Sequence, residues 1–301
     1  MAEKDITEKI LMSYGDVFAD CENAMTYGGR QEISAKNLQP APTESYYRGH
    51  KRMHNQFADV SSYLVENGQI RRQFLIGNET DLEKYQVLRK ASYQGGAYRA
   101  QLEMDRPVYP VSCMIMEWSH KSARIALSLH ELLKAEGAAP EDLEQVDDVK
   151  LEVHHMRNLP KEVRDRFVSD MGFVVDYLNE GHFENRRKQK IVHVEALCEM
   201  MEALTGDNRF TEQAEELLKR QREGGEVLMC EYIDMLEARG EARGKDIGEK
   251  IGKEIGKEIG ETMLATLLEK LYSLGRDEDV KLAVRDKEAR TRLYEEFCMA
   301  N

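Results

Sequence analysis

Hydrophobic residues cluster on both sides of an Asn-Gly pair in residues 56–79, which read QFADVSSYLVENGQIRRQFLIGNE. Asn and Gly both tolerate positive φ, and a turn of that geometry matches the twist of two antiparallel strands. The segment after the pair ends in an unbroken apolar run, FLI at 74–76, which is typical of a buried strand. The pattern therefore predicts a β-hairpin with its turn at Asn67 and Gly68.

The rest of the chain predicts helices and strands around this hairpin. Apolar spacings of three and four indicate helices, short apolar or alternating runs indicate strands, and Asp81 is a suitable N-cap for a helix. In chain order the predicted elements are a helix over 5–27, the hairpin, a helix over 81–103, strands over 109–116 and 149–155, and helices throughout from 160 onward.

This order predicts an α/β fold, with a mixed sheet flanked by helices, followed by an all-α C-terminal region. The length of 301 residues suits about two domains. The boundaries that the pattern favours are an α/β domain over 1–158, a helical region packing on it over 159–236, a Gly-repeat charged helix or linker over 237–262, and a C-terminal helical segment over 263–301.

Composition narrows the class of protein. Charged residues make up 33% of the chain, no apolar run reaches the length of a membrane span, and MAEKDITEKI lacks the features of a signal peptide. We expect a cytoplasmic protein that has no membrane partner and no small-molecule cofactor. The five cysteines form no CxxC pair, which favours reduced and mostly buried thiols over disulfides or a zinc site.

The net charge of −13 argues against a protein that coats nucleic acid, but it allows a local basic groove. Arg186, Arg187, Lys188 and Lys190 form the compact basic run of the sequence. Such a cluster can bind DNA phosphates, and its contribution would depend strongly on salt. A solvated helix start is the alternative interpretation. An apolar stripe of Met and Leu follows the run and is typical of a core-facing helix.

Glycine recurs at every fourth residue from Gly240 to Gly260, in RGEARGKDIGEKIGKEIGKEIGE. In a helix this period winds by about 40° per repeat, and each glycine costs roughly 1 kcal/mol relative to alanine. Close pairing with a second copy would offset this cost, whereas a flexible charged linker would avoid it. Both alternatives stay open, and the first predicts a homo-oligomer.

Several stretches, in their order along the chain, resemble a known family. They are GDVFADCENAM, HNQFADV, LIGNET, GGAYRAQL, YPVSCMIM, VEALCEMMEALTGDNRF and the Gly-punctuated EARGEARG tail. Together they look like the bacterial recombination-promoting nuclease or transposase family of the PD-(D/E)XK nuclease superfamily. The resemblance covers most of residues 1–262.

The resemblance implies a restriction-endonuclease-like core and a magnesium-dependent DNA endonuclease. Its metal site would combine an Asp at the start of the hairpin with a Glu-x-Gln at its end. Asp59 matches the Asp, Gly77 stands at the position of the Glu, and Glu79 stands at the position of the Gln. Gly77 offers no ligand, so Asp59 and Glu79 are the candidate catalytic and Mg²⁺-binding residues. Two hypotheses follow: a DNA-cleaving enzyme with a shifted carboxylate, or a catalytically inert DNA-binding or regulatory oligomerisation module.

Overall fold

The computed structural model describes residues 10–48, 53–103, 107–121, 124–181, 188–212 and 214–298, with side chains omitted for 44–48 and 53–57. The chain divides into two compact units, Met1–Leu236 and Glu237–Asn301. The first unit is α/β and the second is helical. Among the described helices, none combines the length and the apolar character that crossing a membrane requires.

The first unit contains a five-stranded mixed sheet. In spatial order its strands are β1 (Leu38–Pro40), β4 (Val60–Glu66), β5 (Gln69–Glu79), β6 (Val111–Glu117) and β7 (Val153–His155). Strands β1, β4 and β5 pair antiparallel, whereas β5, β6 and β7 pair parallel. A separate two-stranded sheet joins β2 (Glu44–Arg48) to β3 (Met53–Phe57). The predicted α/β class with a mixed sheet is therefore confirmed.

The predicted hairpin is β4 and β5. Glu66 pairs with Gln69 across the turn, and Asn67 and Gly68 have φ angles of 51° and 74°. Positive φ at both central residues is the geometry that Asn-Gly pairs favour. The register shifts after Leu64, so a bulge absorbs the unequal lengths of the two strands.

Helices cover the sheet and form the C-terminal region. They are α1 (Gly15–Met25), α2 (Gln86–Leu102), α3 (Leu129–Ala135), α4 (Pro140–Leu143), α5 (Lys161–Arg164), α6 (Met171–Glu180), α7 (Val194–Thr205), α8 (Arg209–Glu212), α9 (Ala214–Arg222), α10 (Met229–Ser273), α11 (Asp277–Arg285) and α12 (Lys287–Glu296). Short 3₁₀ turns lie at Ala35–Asn37 and Met156–Asn158.

Alternate residues of β5 face two different hydrophobic clusters. Phe74 and Ile76 join the larger cluster with α1, where the Phe18 and Phe74 ring centroids lie 6.2 Å apart. Leu75 joins the smaller cluster with Val87 of α2. This alternation follows from the two-residue period of a strand. It gives the sheet one face toward α1 and another toward α2.

Three predicted boundaries differ from the structure. The first helix is interrupted at Tyr14, whose extended backbone separates a helical turn at 10–13 from α1; residues 5–9 lie outside the described part. The second helix begins at Gln86, so the N-cap predicted at Asp81 is wrong. Residues 149–151 do not extend β7, because they pair with the loop at 127–129 through the Ser128–Lys150 bridge.

The helical region before residue 236 shares the larger core with the sheet. The apolar stripe predicted after the basic run lies on α7, where Leu197, Met200, Met201 and Leu204 are buried. The Gly repeat is helical, because α10 runs unbroken for 45 residues from Met229 to Ser273. In the second unit, Leu267 and Leu271 of α10 pack with residues of α11 and α12.

Candidate functional site

Polar residues meet where the three parallel strands end. Glu79, Glu117 and His155 are the last residues of β5, β6 and β7 and lie in register across the sheet. Registered neighbours on parallel strands project to the same face. Asp59 joins them because β4 runs antiparallel to β5 and therefore begins at this edge. We call these four residues the carboxyl-edge cluster.

Asp59 lies beside the end of β5, as the sequence predicts. Its backbone N–H donates to the Ile76 carbonyl at 3.0 Å, and its Oδ2 accepts from the Asn78 backbone N–H at 2.6 Å. Its charge also acts on the carboxyl of Glu79. The structure therefore brings Asp59 and Glu79 together at one end of the sheet, on either side of the hairpin.

Both carboxylate oxygens of Glu79 accept hydrogen bonds from residues of α2. Gln86 Nε2 donates to Oε1 at 2.8 Å, and Arg89 donates to Oε2 at 3.1 Å. Arg89 also donates to the Tyr93 hydroxyl at 2.9 Å. Burial raises the pKa of the Glu79 carboxyl above its ordinary value, while Gln86 and Arg89 favour its charged form and Asp59 opposes it. The side chain is thus part of an internal hydrogen-bonded network.

Gly77 leaves little space for the carboxylate that the family resemblance would put there. A Cβ on Gly77 would lie 2.8 Å from Ile115 Cδ1 and 3.9 Å from Tyr93 Cε2. Both neighbours belong to the cluster between the sheet and α2. The first contact is too short for real atoms, so a side chain at this position requires the tip of Ile115 to move.

Glu117 and His155 form a second pair in the cluster, which sequence reasoning missed. His155 Nδ1 lies 2.6 Å from Oε2 of the buried Glu117, and Ser119 donates to the other oxygen at 2.5 Å. The available signal was an acid directly after the apolar run VSCMIM. The neighbouring His154 lies 3.3 Å from Glu152 instead, because successive residues of a strand project to opposite faces.

The described residues do not fit the magnesium site that the resemblance implies. Mg²⁺ prefers carboxylate and phosphate oxygens in a near-octahedral arrangement. Glu79 directs both oxygens to Gln86 and Arg89, and Gly77 supplies none. In the part of the chain that the structure describes, no group of three or more His, Cys, Asp or Glu residues is arranged to hold a metal ion.

The predicted phosphate-binding run is only partly described. Arg186 and Arg187 lie outside the described residues, and Lys188 comes just after the gap. Lys190 is exposed, and its Nζ forms an ion pair with Glu226 at 3.0 Å. Helix α7 begins only at Val194, so the described end of this run precedes the helix and does not form its first turn.

The cysteine prediction agrees with the structure at the buried positions. All five cysteines have free thiols; Cys21, Cys113 and Cys198 are buried, Cys230 is half-buried and Cys298 is exposed. Burial raises the pKa of Cys113 to about 12 and that of Cys198 to about 11. These two thiols are therefore protonated at neutral pH and are poor nucleophiles.

In comparisons with protein-family models, curated proteins and solved structures, nothing matches the chain.

Proposed function

We propose that this protein is a catalytically reduced relative of the PD-(D/E)XK recombination-promoting DNA endonucleases. In this proposal the Arg89 guanidinium supplies the positive charge that a divalent metal ion would supply beside these carboxylates in an active relative. The observation that carries the proposal is the engagement of Glu79, whose two carboxylate oxygens accept hydrogen bonds from Gln86 and Arg89. The antiparallel hairpin followed by a parallel strand, with Asp59 and Glu79 at one edge, supports the relationship.

The exchange of a metal ion for Arg89 explains why cleavage would be lost. A guanidinium compensates the negative charge of Glu79 and donates hydrogen bonds in a fixed plane. It has no coordination position for a water molecule, so it cannot lower the pKa of an attacking water as a bound divalent cation does. The site would then keep the fold of its relatives and lose their phosphodiester hydrolysis.

Plasmid cleavage in Mg²⁺ or Mn²⁺ tests this proposal. The parent protein should leave supercoiled plasmid intact, or relax it only weakly. The triple variant Gly77→Glu, Glu79→Gln, Ile115→Val should gain metal-dependent cleavage, because it restores the missing carboxylate and removes the Ile115 Cδ1 atom that blocks it.

A matched control separates the carboxylate from the change in shape. The variant Gly77→Gln, Glu79→Gln, Ile115→Val has nearly the same volume but no new carboxylate, and it should stay inactive. Adding Asp59→Ala to the active triple variant should abolish cleavage. Robust cutting by the parent protein that Asp59→Ala removes would refute the proposal.

A second candidate function is an inert module that binds DNA or assembles into regulatory oligomers. The basic run ending at Lys190 favours DNA, and the exposed apolar positions of α10 favour assembly. Binding of a labelled duplex, measured at low and moderate salt, tests the first. Affinity that falls steeply with salt in the parent and is lost in Lys188→Glu, Lys190→Glu would support it. Equal affinity of the two proteins would contradict it.

A further inference from the structure

Glu117 and His155 form a pair that the proposed function does not use. The Glu117 side chain is 1% exposed, and one of its oxygens accepts a hydrogen bond from Ser119. The other oxygen lies 2.6 Å from His155 Nδ1. An ionised carboxylate only accepts hydrogen bonds, so Nδ1 carries the hydrogen in this contact. The buried acid therefore fixes both the orientation of the imidazole ring and its tautomer.

The second ring nitrogen of His155 is open to a ligand. The side chain is 36% exposed, and within the described part of the chain no residue forms a hydrogen bond with Nε2. Because Nδ1 carries the hydrogen, Nε2 presents a lone pair in the neutral ring. An imidazole held in this way by a carboxylate is the arrangement that general-base catalysis requires.

The pair lies where a sheet of this kind binds ligands. Glu117 and His155 end two adjacent parallel strands, and ligands of open α/β sheets bind outside the carboxyl ends of such strands. Two exposed basic residues, His120 and Lys121, follow β6 closely. Ser119 Oγ, which donates to Glu117, also lies 2.6 Å from the Lys121 carbonyl, so this basic stretch begins beside the pair. Positive charge next to a proton acceptor suits a phosphate backbone.

The geometry of the edge limits which phosphodiester this pair can cleave. Glu79 directs both oxygens to α2 and Gly77 offers none, so the edge does not assemble the Mg²⁺ ligands that would activate water against DNA. RNA carries its own nucleophile, because its 2′-hydroxyl lies next to the phosphorus. Attached nucleophiles reach effective molarities on the order of 10⁵–10⁸ M. A histidine then needs only to accept the hydroxyl proton.

We propose that this protein cleaves RNA without a metal ion, with His155 as the catalytic general base and Glu117 as its positioning residue. His155 Nε2 takes the proton of the 2′-hydroxyl while the 2′ oxygen bonds to phosphorus and the bond to the 5′ oxygen breaks. The 5′ oxygen takes a proton from water, and His155 returns its proton to the hydroxide. The products are a 2′,3′-cyclic phosphate and a 5′-hydroxyl. The inference rests on the proposed function only in taking a nucleic-acid backbone as the ligand.

Cleavage of a labelled single-stranded RNA in EDTA by the full-length chain tests the proposal. The parent should cleave the RNA but not a 2′-O-methyl strand of the same sequence, because that strand lacks the nucleophile. His155→Ala should lower the rate at least roughly a hundredfold, and free imidazole should restore part of it. His154→Ala is the matched control, since this histidine contacts Glu152 instead, and it should keep the parent rate.

Glu117→Gln tests the positioning role. A glutamine amide can donate to His155 Nδ1, which favours the tautomer with its hydrogen on Nε2 and removes the proton acceptor. The rate should fall at least roughly tenfold while circular dichroism stays unchanged. Nitrogen-15 NMR of the imidazole should show the hydrogen on Nδ1 in the parent and on Nε2 in Glu117→Gln. A purely structural role for Glu117 would leave the tautomer as it is.

Three results would overturn the inference. They are RNA left intact by the parent in EDTA, equal cleavage by His155→Ala, and equal cleavage of the 2′-O-methyl strand. The second would identify a contaminating nuclease, because the variant is purified in the same way. The plasmid assay of the triple variant at Gly77 uses DNA and a divalent cation. Its failure would therefore refute the proposed function and leave the RNA result standing, and loss of RNA cleavage alone would leave the plasmid result standing.

Discussion

Glu22 shows at the scale of one residue how burial controls a charge. Glu22 and Asn23 lie in the second half of α1, and Thr26 directly follows its last residue. Asn23 is buried and bonds both the N–H and the carbonyl of Ile33 at 2.8 Å, so it anchors the segment after α1. Glu22 accepts a hydrogen bond from Thr26 at 3.0 Å. Burial raises its pKa to about 8.

We predict that Glu22 makes the protein less stable as pH rises. The folded pKa of about 8 lies above the ordinary value of 4.5, so this contribution to stability is fully present below about pH 4.5 and is lost as pH rises to about 8. Glu22→Gln should reduce the difference in unfolding free energy between pH 5 and pH 8 by roughly 2–4 kcal/mol. Urea unfolding at both pH values measures it. The exposed substitution Glu215→Gln should leave this difference unchanged. The prediction would be contradicted if the parent and both variants showed the same difference in unfolding free energy.

Arg89 gives a second prediction at the residue scale. Removing its guanidinium in Arg89→Met leaves Glu79 beside Asp59 without a compensating charge. We expect the unfolding free energy to fall by about 2 kcal/mol. This is less than the loss for a fully buried ion pair, because the Arg89 side chain is 36% exposed. We also expect millimolar-range Mn²⁺, on the order of 10⁻³ M, to raise the Tm of this variant but not that of the parent, since binding to the folded state stabilises it.

Two further variants control for the Arg89 prediction in the same thermal unfolding assay. Arg99→Met removes an exposed arginine from the same helix and should show neither effect. Arg89→Met with Glu79→Gln removes both charges, so it should recover stability and lose the response to Mn²⁺. If Mn²⁺ stabilises the parent as strongly as Arg89→Met, the idea that Arg89 substitutes for a metal ion fails.

At the scale of elements, the sequence pattern predicted those helices and strands whose position depends on neighbouring residues alone. The Asn67-Gly68 turn and the apolar runs of β5 and β6 follow from backbone preference and burial, and the structure confirms them. The start of α2 and the length of β7 depend on tertiary pairing. Residues 149–151 alternate like a strand but pair with a loop, and no local pattern distinguishes these two outcomes.

The candidate site was predictable only in part for the same reason. Asp59 and Glu79 could be brought together from the hairpin alone, because a two-residue turn fixes which strand ends meet. The partners of Glu79 come from α2, and whether an arginine on a helix faces a strand end depends on packing that the sequence pattern does not specify. Glu117 and His155 meet only through the parallel pairing of β6 with β7.

At the scale of the whole molecule, the first unit depends on the beginning of α10. Val227, Met229, Tyr232, Ile233 and Leu236 are buried in the same cluster as the sheet and α7. The Tyr232 hydroxyl donates to the Phe210 carbonyl at 3.1 Å and lies 3.2 Å from Cys198 Sγ. The residues from Glu237 onward belong to the second unit. The core of the first unit therefore ends at Leu236, inside a continuous helix.

We predict that a chain ending at residue 236 folds cooperatively and that one ending at residue 226 does not. The longer fragment keeps the five buried side chains, each of which contributes about 1.5–3 kcal/mol by burial. Their sum is comparable with the roughly 5–15 kcal/mol by which a typical domain is stable, so their loss should unfold the shorter fragment. Thermal unfolding followed by circular dichroism distinguishes the two. A cooperative transition in the shorter fragment, equal in midpoint to that of the longer one, would contradict this prediction.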